Sequence, residues 1–415
     1  MNLRNFRDAA LIGASLALSG TAFADDLTRP LTYSLSQSFV RDSNVFRLGD
    51  NVAVPANPVI GPQGGPRGDT IGRTSVGINF NNTTGTQVVT LGANLDFTRY
   101  QRYSYLNRNG YGISGAWQAD LDSAWYASAN LSSAKANTEF LNQFGLASNS
   151  ATTSTLGGKV GYRFTPTWSV FSGLTAIKIG NSAGVSQAAN TSQRLLEAGA
   201  KYDPGTGLNG ELLLQRRSLD YANRQIFDAF GNTLPSSVDN SFNATQLMAR
   251  ASYQATGQSS FTGQIGYSNQ RFNTLTQRDS SGLLFGVTYR YLYSDTFNVG
   301  LRLNRDIAGD QSSFSSPVQS TRAGFDASWK ATGRITVLGS FDADRRKFSA
   351  DPGVILGTNN LSADRSKTLA LNARYELFRT VNLTAGLQRV SRSANVASIP
   401  FSSNIASLAV DFRFD

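Results

Sequence analysis

From residue 31 onward the chain repeats apolar and polar positions with a period of two. Leu31-Thr32-Tyr33-Ser34-Leu35-Ser36 opens the series and Phe39 continues its apolar row. Thr74 to Phe80 alternates in the same way, as do Val89, Leu91, Ala93, Leu95 and Phe97 with polar or small residues between them. The alternation returns at Phe261, Ile265 and Tyr267, at Phe285, Val287 and Tyr289, and at Phe297, Val299, Leu301 and Leu303. Leu369, Leu371, Ala373 and Tyr375 carry it further, and Leu408, Val410, Phe412 and Phe414 end it. Successive side chains on a strand point to opposite faces, so each segment has one oily and one polar side. About 18 such strands are predicted, most of them ten to twelve residues long. Trp168 to Ile179 is the exception, with both faces mixed.

Connections between these segments alternate short and long. The short ones are Asn82–Thr86, Asp122-Ser123, Thr165–Thr167, Asp203–Gly207, Ala255–Gln258, Tyr293–Asp295, Thr332–Arg334 and Phe378–Thr380. They are rich in Gly, Pro, Asn, Asp and Ser, the residues of tight turns. The long ones are Asp42–Thr70, Asn137–Ser150, Gly180–Ser192, Ala222–Ser241, Ala308–Gln319 and Ser349–Ala363. Short turns on one side and long loops on the other predict an all-β, transmembrane up-and-down antiparallel β-barrel of 16–18 strands. The turns face the periplasm and the loops the cell exterior. A β-propeller needs four short strands where this chain has two long ones per turn-to-turn period. A β-sandwich would have to bury the inner faces of far too many one-sided strands. Lipid outside and water inside suit them.

The aromatics agree with that placement. Trp117 and Trp125 flank one short turn, Trp168 follows another at Pro166, and Trp329 precedes the turn at Gly333. Phe164, Tyr202, Tyr253, Tyr291, Phe297 and Tyr375 occupy comparable places on the oily face. Amphipathic rings at one level form an interfacial girdle. The terminal strand ends Phe412-Arg413-Phe414-Asp415, an aromatic-rich end of the type that outer-membrane assembly recognises.

At the other end, Arg4 and Arg7 precede the apolar run Ala9–Leu18 and the tripeptide Ala22-Phe23-Ala24. That is a secretory signal with an A-x-A cleavage site, too short to span a bilayer, which needs about 20 residues. Cleavage after Ala24 is expected, leaving 25–415 as one barrel domain exported to the outer membrane of a Gram-negative cell.

Parity then names the residues that line the inside. Basic inward positions are Arg73, Lys159, Arg163, Lys201, Arg250, Arg290, Arg302, Arg322, Lys330, Arg374 and Arg413. Acidic ones are Asp96, Asp120, Glu197, Glu211, Asp326, Asp342 and Asp411. Charges on a lipid face cost a few kcal/mol near the midplane, so the polar row must face a lumen. These charges either pair across strands or, through their basic surplus, favour anions.

Composition changes the picture mainly by exclusion. With neither His nor Cys, Ser-His, Asp-His and Cys-His catalysis is impossible, and so are zinc fingers, disulfides and iron–sulfur clusters. Asp342 and Asp344 form an acid pair on one face, which a lumen ladder explains better than sugar hydrolysis. The Gly-rich stretch Ile60–Gly68 lacks the Lys-Ser/Thr of a phosphate loop. No catalytic, cofactor-binding or metal-ligating set is therefore expected. The formal net charge of +10 points to an acidic polymer or anionic lipid once export removes nucleic acid from consideration. Arg216-Arg217 and Arg345-Arg346-Lys347, near the loop ends of their strands, are candidate contacts for anionic lipopolysaccharide or an acidic glycan, or equally a solvated rim.

Two short motifs carry a family resemblance. Asp42-Ser43-Asn44-Val45-Phe46-Arg47-Leu48, after the first strand, resembles the D-x-N-[LV]-F-R-L signature of a family of outer-membrane barrels. Tyr100-Gln101-Arg102-Tyr103-Ser104-Tyr105-Leu106-Asn107 is similar to that family's aromatic motif. Its members are porin-like proteins of exopolysaccharide-biosynthesis clusters associated with the exosortase/PEP-CTERM system. The resemblance implies a role in synthesis or secretion of an extracellular polysaccharide, with periplasmic export components as partners and no catalytic residues. The expected mechanism is a passive conduit or docking barrel for that polymer. The alternatives are a general diffusion porin with a mild anion preference and a closed barrel acting as a scaffold.

Overall fold

The structure is a computed structural model. It describes residues 30–49, 52, 54, 65–138, 148–222, 225–227, 233–237, 239–308, 318–348, 363–395 and 400–414. The expected signal sequence and the terminal Asp415 lie outside them. Twenty strands follow in order: β1 (Leu31–Asp42), β2 (Asp69–Thr84), β3 (Gln87–Tyr100), β4 (Arg108–Asp120), β5 (Trp125–Asn137), β6 (Ser150–Arg163) and β7 (Trp168–Asn181). Then come β8 (Thr191–Tyr202), β9 (Leu208–Tyr221), β10 (Gln225–Phe227), β11 (Thr233–Ser237), β12 (Phe242–Gln254), β13 (Ser259–Phe272) and β14 (Ser280–Ser294). The last are β15 (Phe297–Ala308), β16 (Val318–Lys330), β17 (Ile335–Phe348), β18 (Ala363–Phe378), β19 (Val381–Ala394) and β20 (Phe401–Phe414).

Eighteen of them form one antiparallel ladder in which each strand pairs with its sequence neighbours. β10 and β11 stand apart as a small hairpin inside the Ala222–Ser241 connection, so β9 pairs directly with β12. The hairpin was not legible in the alternation. β20 closes on β1 from Tyr33↔Phe414 to Asp42↔Ile405, so the sheet has no free edge. Closure satisfies every ladder N–H and C=O internally, which is what a strand protein needs to cross lipid. No helix among the described residues is long and apolar enough to cross a membrane. One two-residue turn joins Thr84 to Gln87, and Gly85 sits there at φ 59°, which the first position of a II′ hairpin requires.

The oily row of every barrel strand lies on the outer surface. Leu156, Leu369, Leu387 and Leu408 are each about 60% exposed, with Leu95, Leu131, Leu214, Ile265 and Leu301 in the same belt. A soluble protein does not leave so continuous an apolar surface in water. Towards the short turns the belt becomes aromatic: Trp125 packs on Tyr162 at 4.9 Å, Trp168 on Tyr202 at 4.8 Å, and Phe261 on Tyr289 at 4.6 Å. Trp117 donates to Gln87 Oε1 at 3.3 Å, and Trp329 lies opposite Phe297.

The mixed faces of Trp168–Ile179 have a packing cause. β7 turns Trp168, Val170 and Leu174 outward, yet its inner row also carries apolar Phe171 and Ile177, both buried. Phe171 reaches over Gly199 to Leu213 and Met248, making an apolar patch on the inner wall.

The two faces of β18 allow a direct check of which side meets lipid. Leu371→Arg, at mid-strand on the outer face, is expected to cost about 2–4 kcal/mol. Ala370→Arg, one residue away on the inner face, should cost less than about 1 kcal/mol. Urea unfolding of both variants in lipid vesicles measures the difference, and equal costs would contradict the assignment of faces.

Candidate functional site: the lumen wall and its mouth

Cross-strand partners project to the same side, so the register can be followed around the barrel. Arg73, Asp96, Asp120, Lys159, Arg163, Glu197, Lys201, Glu211 and Arg250 share the face opposite the oily belt through β2 to β12. Arg290, Arg302, Arg322, Asp326, Lys330, Asp342, Arg374, Asp411 and Arg413 share it from β14 to β20.

Most of these charges meet each other. Arg163 pairs with Asp120 at 2.5 Å, Lys159 with Glu197 at 3.4 Å, Lys201 with Asp203 at 3.1 Å, and Arg250 with Glu211 at 3.9 Å. Arg302 bridges Asp326 at 3.0 Å and Asp342 at 3.3 Å, and Arg322 reaches Asp344 at 3.3 Å. Two pairs, Lys159–Glu197 and Arg302–Asp342, join strands two apart over a glycine on the strand between. A Cβ at Gly324 would lie 2.6 Å from Asp342 Oδ1 and 3.1 Å from Arg302 Nε, so only glycine leaves that bridge open. Gly173 gives Glu197 the same passage towards Lys159. These half-exposed pairs each contribute at most about 1 kcal/mol. Their larger effect is to neutralise the wall locally.

Three basic groups, Arg73, Arg290 and Lys330, have no ion-pair partner among the described residues. Arg374 donates to Asn382 Oδ1 at 3.2 Å, Asn94 donates to Asp96, and Ser36 donates to Asp411 at 2.6 Å. Two cations cover aromatic rings on the wall: Lys159 Nζ lies 3.7 Å from the Phe171 centroid, and Arg163 lies 4.8 Å above Tyr126.

The loop end of the lumen is built by the two sequence motifs together. Asp42, 4% exposed, accepts from Arg47 Nη1 at 2.8 Å, from Ser403 Oγ at 2.5 Å and from the Asn44 backbone N–H at 2.9 Å. Asn44 donates to Leu48 O at 2.7 Å and to Ser402 O at 3.1 Å. Arg47 adopts a left-handed φ of 55°, a conformation held by its bonds to Asp42 and to Asn44 O. Val45 and Phe46 turn inward onto Val40, Ile71, Tyr103, Leu106 and Ile405. The second motif meets the first there, with Phe46 edge-on to Tyr103 at 4.7 Å. Asp69 accepts from the backbone N–H groups of Arg102 at 3.0 Å and Tyr103 at 2.9 Å. Burial pushes the Tyr103 phenol above its usual range, opposed by nearby Arg102, so it stays protonated and donates to Pro66 O at 2.6 Å.

Beside this knot, Asp364 on β18 sits between two guanidinium groups. Arg346 binds it through Nε at 2.9 Å and Nη2 at 2.6 Å, and Arg392 through Nε at 2.9 Å. Parity could have placed Arg346 on the inner row, two residues from Asp344. Nothing local marks Asp364 as its partner or Arg392 as a second cation there, because they lie one and two strands away, beyond a long loop.

The chain resembles outer-membrane barrels of known structure. OpdK from Pseudomonas aeruginosa is 12% identical, with 92% of this chain and 99% of that one covered at a TM-score of 0.49. OccK2 (OpdF) from the same organism, solved with glucuronate, is 10% identical over 93% of this chain and 98% of that one, TM-score 0.48. The FrpB iron transporter of Neisseria meningitidis is 10% identical, covers 94% and 82%, and has a TM-score of 0.47. No protein-family model and no curated protein matches the chain. Likenesses this remote say nothing about cargo; the closed ladder alone establishes the fold.

Proposed function

We propose that this protein resides in the outer membrane of a Gram-negative bacterium and supports exopolysaccharide biosynthesis or secretion there. It would act as a passive conduit or docking barrel, with periplasmic export components feeding it. The observation that supports this is the character of the inner wall. Ser36, Asn94, Ser128, Asn130, Gln246 and Ser268 alternate around it with charges that mostly neutralise one another. Hydroxyl, amide and paired ionic groups offer a hydroxylated polymer many weak hydrogen bonds and no deep electrostatic trap. Movement needs that balance, since a ligand held strongly at one site does not advance. An 18-stranded barrel is wide enough for an aqueous channel. The packed motifs at its mouth are those that carry the resemblance to exopolysaccharide-cluster barrels.

Deletion of the gene tests this reading. Secreted polysaccharide is expected to fall to background while uptake of small solutes stays close to wild type. Normal polysaccharide with reduced uptake would sink it. That outcome favours the second reading, a diffusion porin with mild anion preference, for which the unmatched Arg73, Arg290 and Lys330 are the specific support. Reversal potentials across a salt gradient separate the two further, because the porin reading requires anion selectivity.

A further inference from the structure

The two rims of the barrel's outer surface differ in chemistry. Outward positions next to the turns are aromatic or apolar, as at the exposed Trp125, Tyr162, Trp168 and Phe414 and at Tyr202 opposite Trp168. Outward positions next to the loops are basic. The densest group lies on β17, β18 and β19, where Arg345, Lys347, Arg365, Lys367 and Arg389 are all exposed. None has an ion-pair partner among the described residues. Arg345 and Arg365 are direct cross-strand partners, and Lys367 is one position removed on the same face. Like charges set directly opposite destabilise a sheet unless an anion lies between them. The surface immediately below is apolar, with Leu369 59% and Leu387 63% exposed. A second basic hollow on this rim, about 520 Å³, is lined by Arg99, Arg108 and Lys135.

A soluble anion would use the cations and ignore the leucines, whereas an apolar partner would do the reverse. A lipid with phosphate on its headgroup uses both at the right depth. We infer that the Arg345–Arg365–Lys367–Arg389 patch binds the phosphates of a multiply acylated, phosphorylated saccharide lipid in the outer leaflet, whose chains lie along Leu369 and Leu387. The bound phosphate cancels the Arg345/Arg365 repulsion and fixes the barrel's vertical position. The inference rests on the outer-membrane placement proposed above and is independent of what passes through the lumen.

Native mass spectrometry of the full-length refolded barrel with diphosphorylated lipid A tests it. The wild type is expected to retain the lipid, and Arg345→Gln/Arg365→Gln/Lys367→Gln to bind about a hundredfold more weakly. Heat-dependent gel mobility establishes that the variant is folded. If it is not, dephosphorylated lipid A on the wild-type barrel decides instead, with a similar loss expected. Equal binding by the folded variant, or by the dephosphorylated lipid, would overturn the inference. Inorganic pyrophosphate binding as tightly as the lipid would also overturn it, by showing a soluble-anion site. A barrel that retains the lipid while its deletion leaves polysaccharide unchanged loses the cargo reading and keeps this one.

Discussion

Asp42→Ala is expected to destabilise the barrel by about 3–5 kcal/mol, the cost of removing one partner from a buried ion pair. Asp42 and Arg47 have side chains only 5% and 7% exposed, so water cannot replace the lost carboxylate. The position matters as much as the burial. Every other barrel pairing joins strands that are neighbours in sequence, apart from the small step over β10 and β11. The β1–β20 seam joins the two ends of the chain, and Ser403 Oγ to Asp42 links residues 361 apart. Ser43 and Asn404 are bonded there as well, through Ser43 N to Asn404 O at 3.0 Å and Asn404 N to Ser43 Oγ at 2.8 Å. The D-x-N motif is thus a clasp on the closing seam, and it also ties down the first long loop. Urea unfolding in micelles should show a lower midpoint with an unchanged slope, since the surface exposed on unfolding stays the same. Ser36→Ala at the turn end of the same seam removes one neutral donor to Asp411 and should cost only about 1 kcal/mol. An Asp42→Ala variant no less stable than Ser36→Ala would show that the clasp does not hold the seam.

The barrel was legible in the sequence because its strongest signal is local. A period of two, with short turns between segments such as Trp117 and Trp125, needs no knowledge of partners. Strand number followed from counting those segments. Parity also sorted Lys159 from Val160 and Asp342 from Phe341, since the lipid side admits little charge near the midplane. What parity cannot give is height and reach. Phe171 and Met248 have inward parity like any lumen residue, yet they lie flat over Gly199 and Gly266 and make a dry patch on the wall. Lys159 meets Glu197 only because Gly173 lets the bridge pass between strands two apart. The basic surplus read from parity gathers at particular places once partners are set, because Arg302 alone engages two carboxylates while Arg73, Arg290 and Lys330 engage none among the described residues. The motifs were visible as motifs, but their joint packing through Phe46 and Tyr103 depends on two loops separated by a whole hairpin.

Asp364→Ala should match Asp42→Ala in stability and exceed it in its effect on the lumen. Asp364 is 3% exposed, and Arg346 and Arg392 share it while carrying one more charge than it neutralises. Removing the carboxylate leaves two guanidinium groups facing each other across β18 on the inner wall, at an expected cost of about 3–5 kcal/mol. Asp364→Asn keeps an acceptor oxygen and should fall between the variant and wild type. The double change Asp364→Ala/Arg392→Leu should recover part of the loss, because it removes the repulsion between two guanidinium groups and leaves Arg346 as the one cation of the cluster. If the cost is electrostatic, that recovery must appear. If it comes from lost packing, the double variant will be worse than the single. The same substitution also reads out which way the inner row faces. Freed positive charge in a water-filled lumen raises the local anion concentration, so single-channel reversal potentials should move towards anions in Asp364→Ala and return in the double variant. A stability loss with no change in selectivity would place the Arg346–Asp364–Arg392 cluster off the conducting path, sealed within the wall at the mouth.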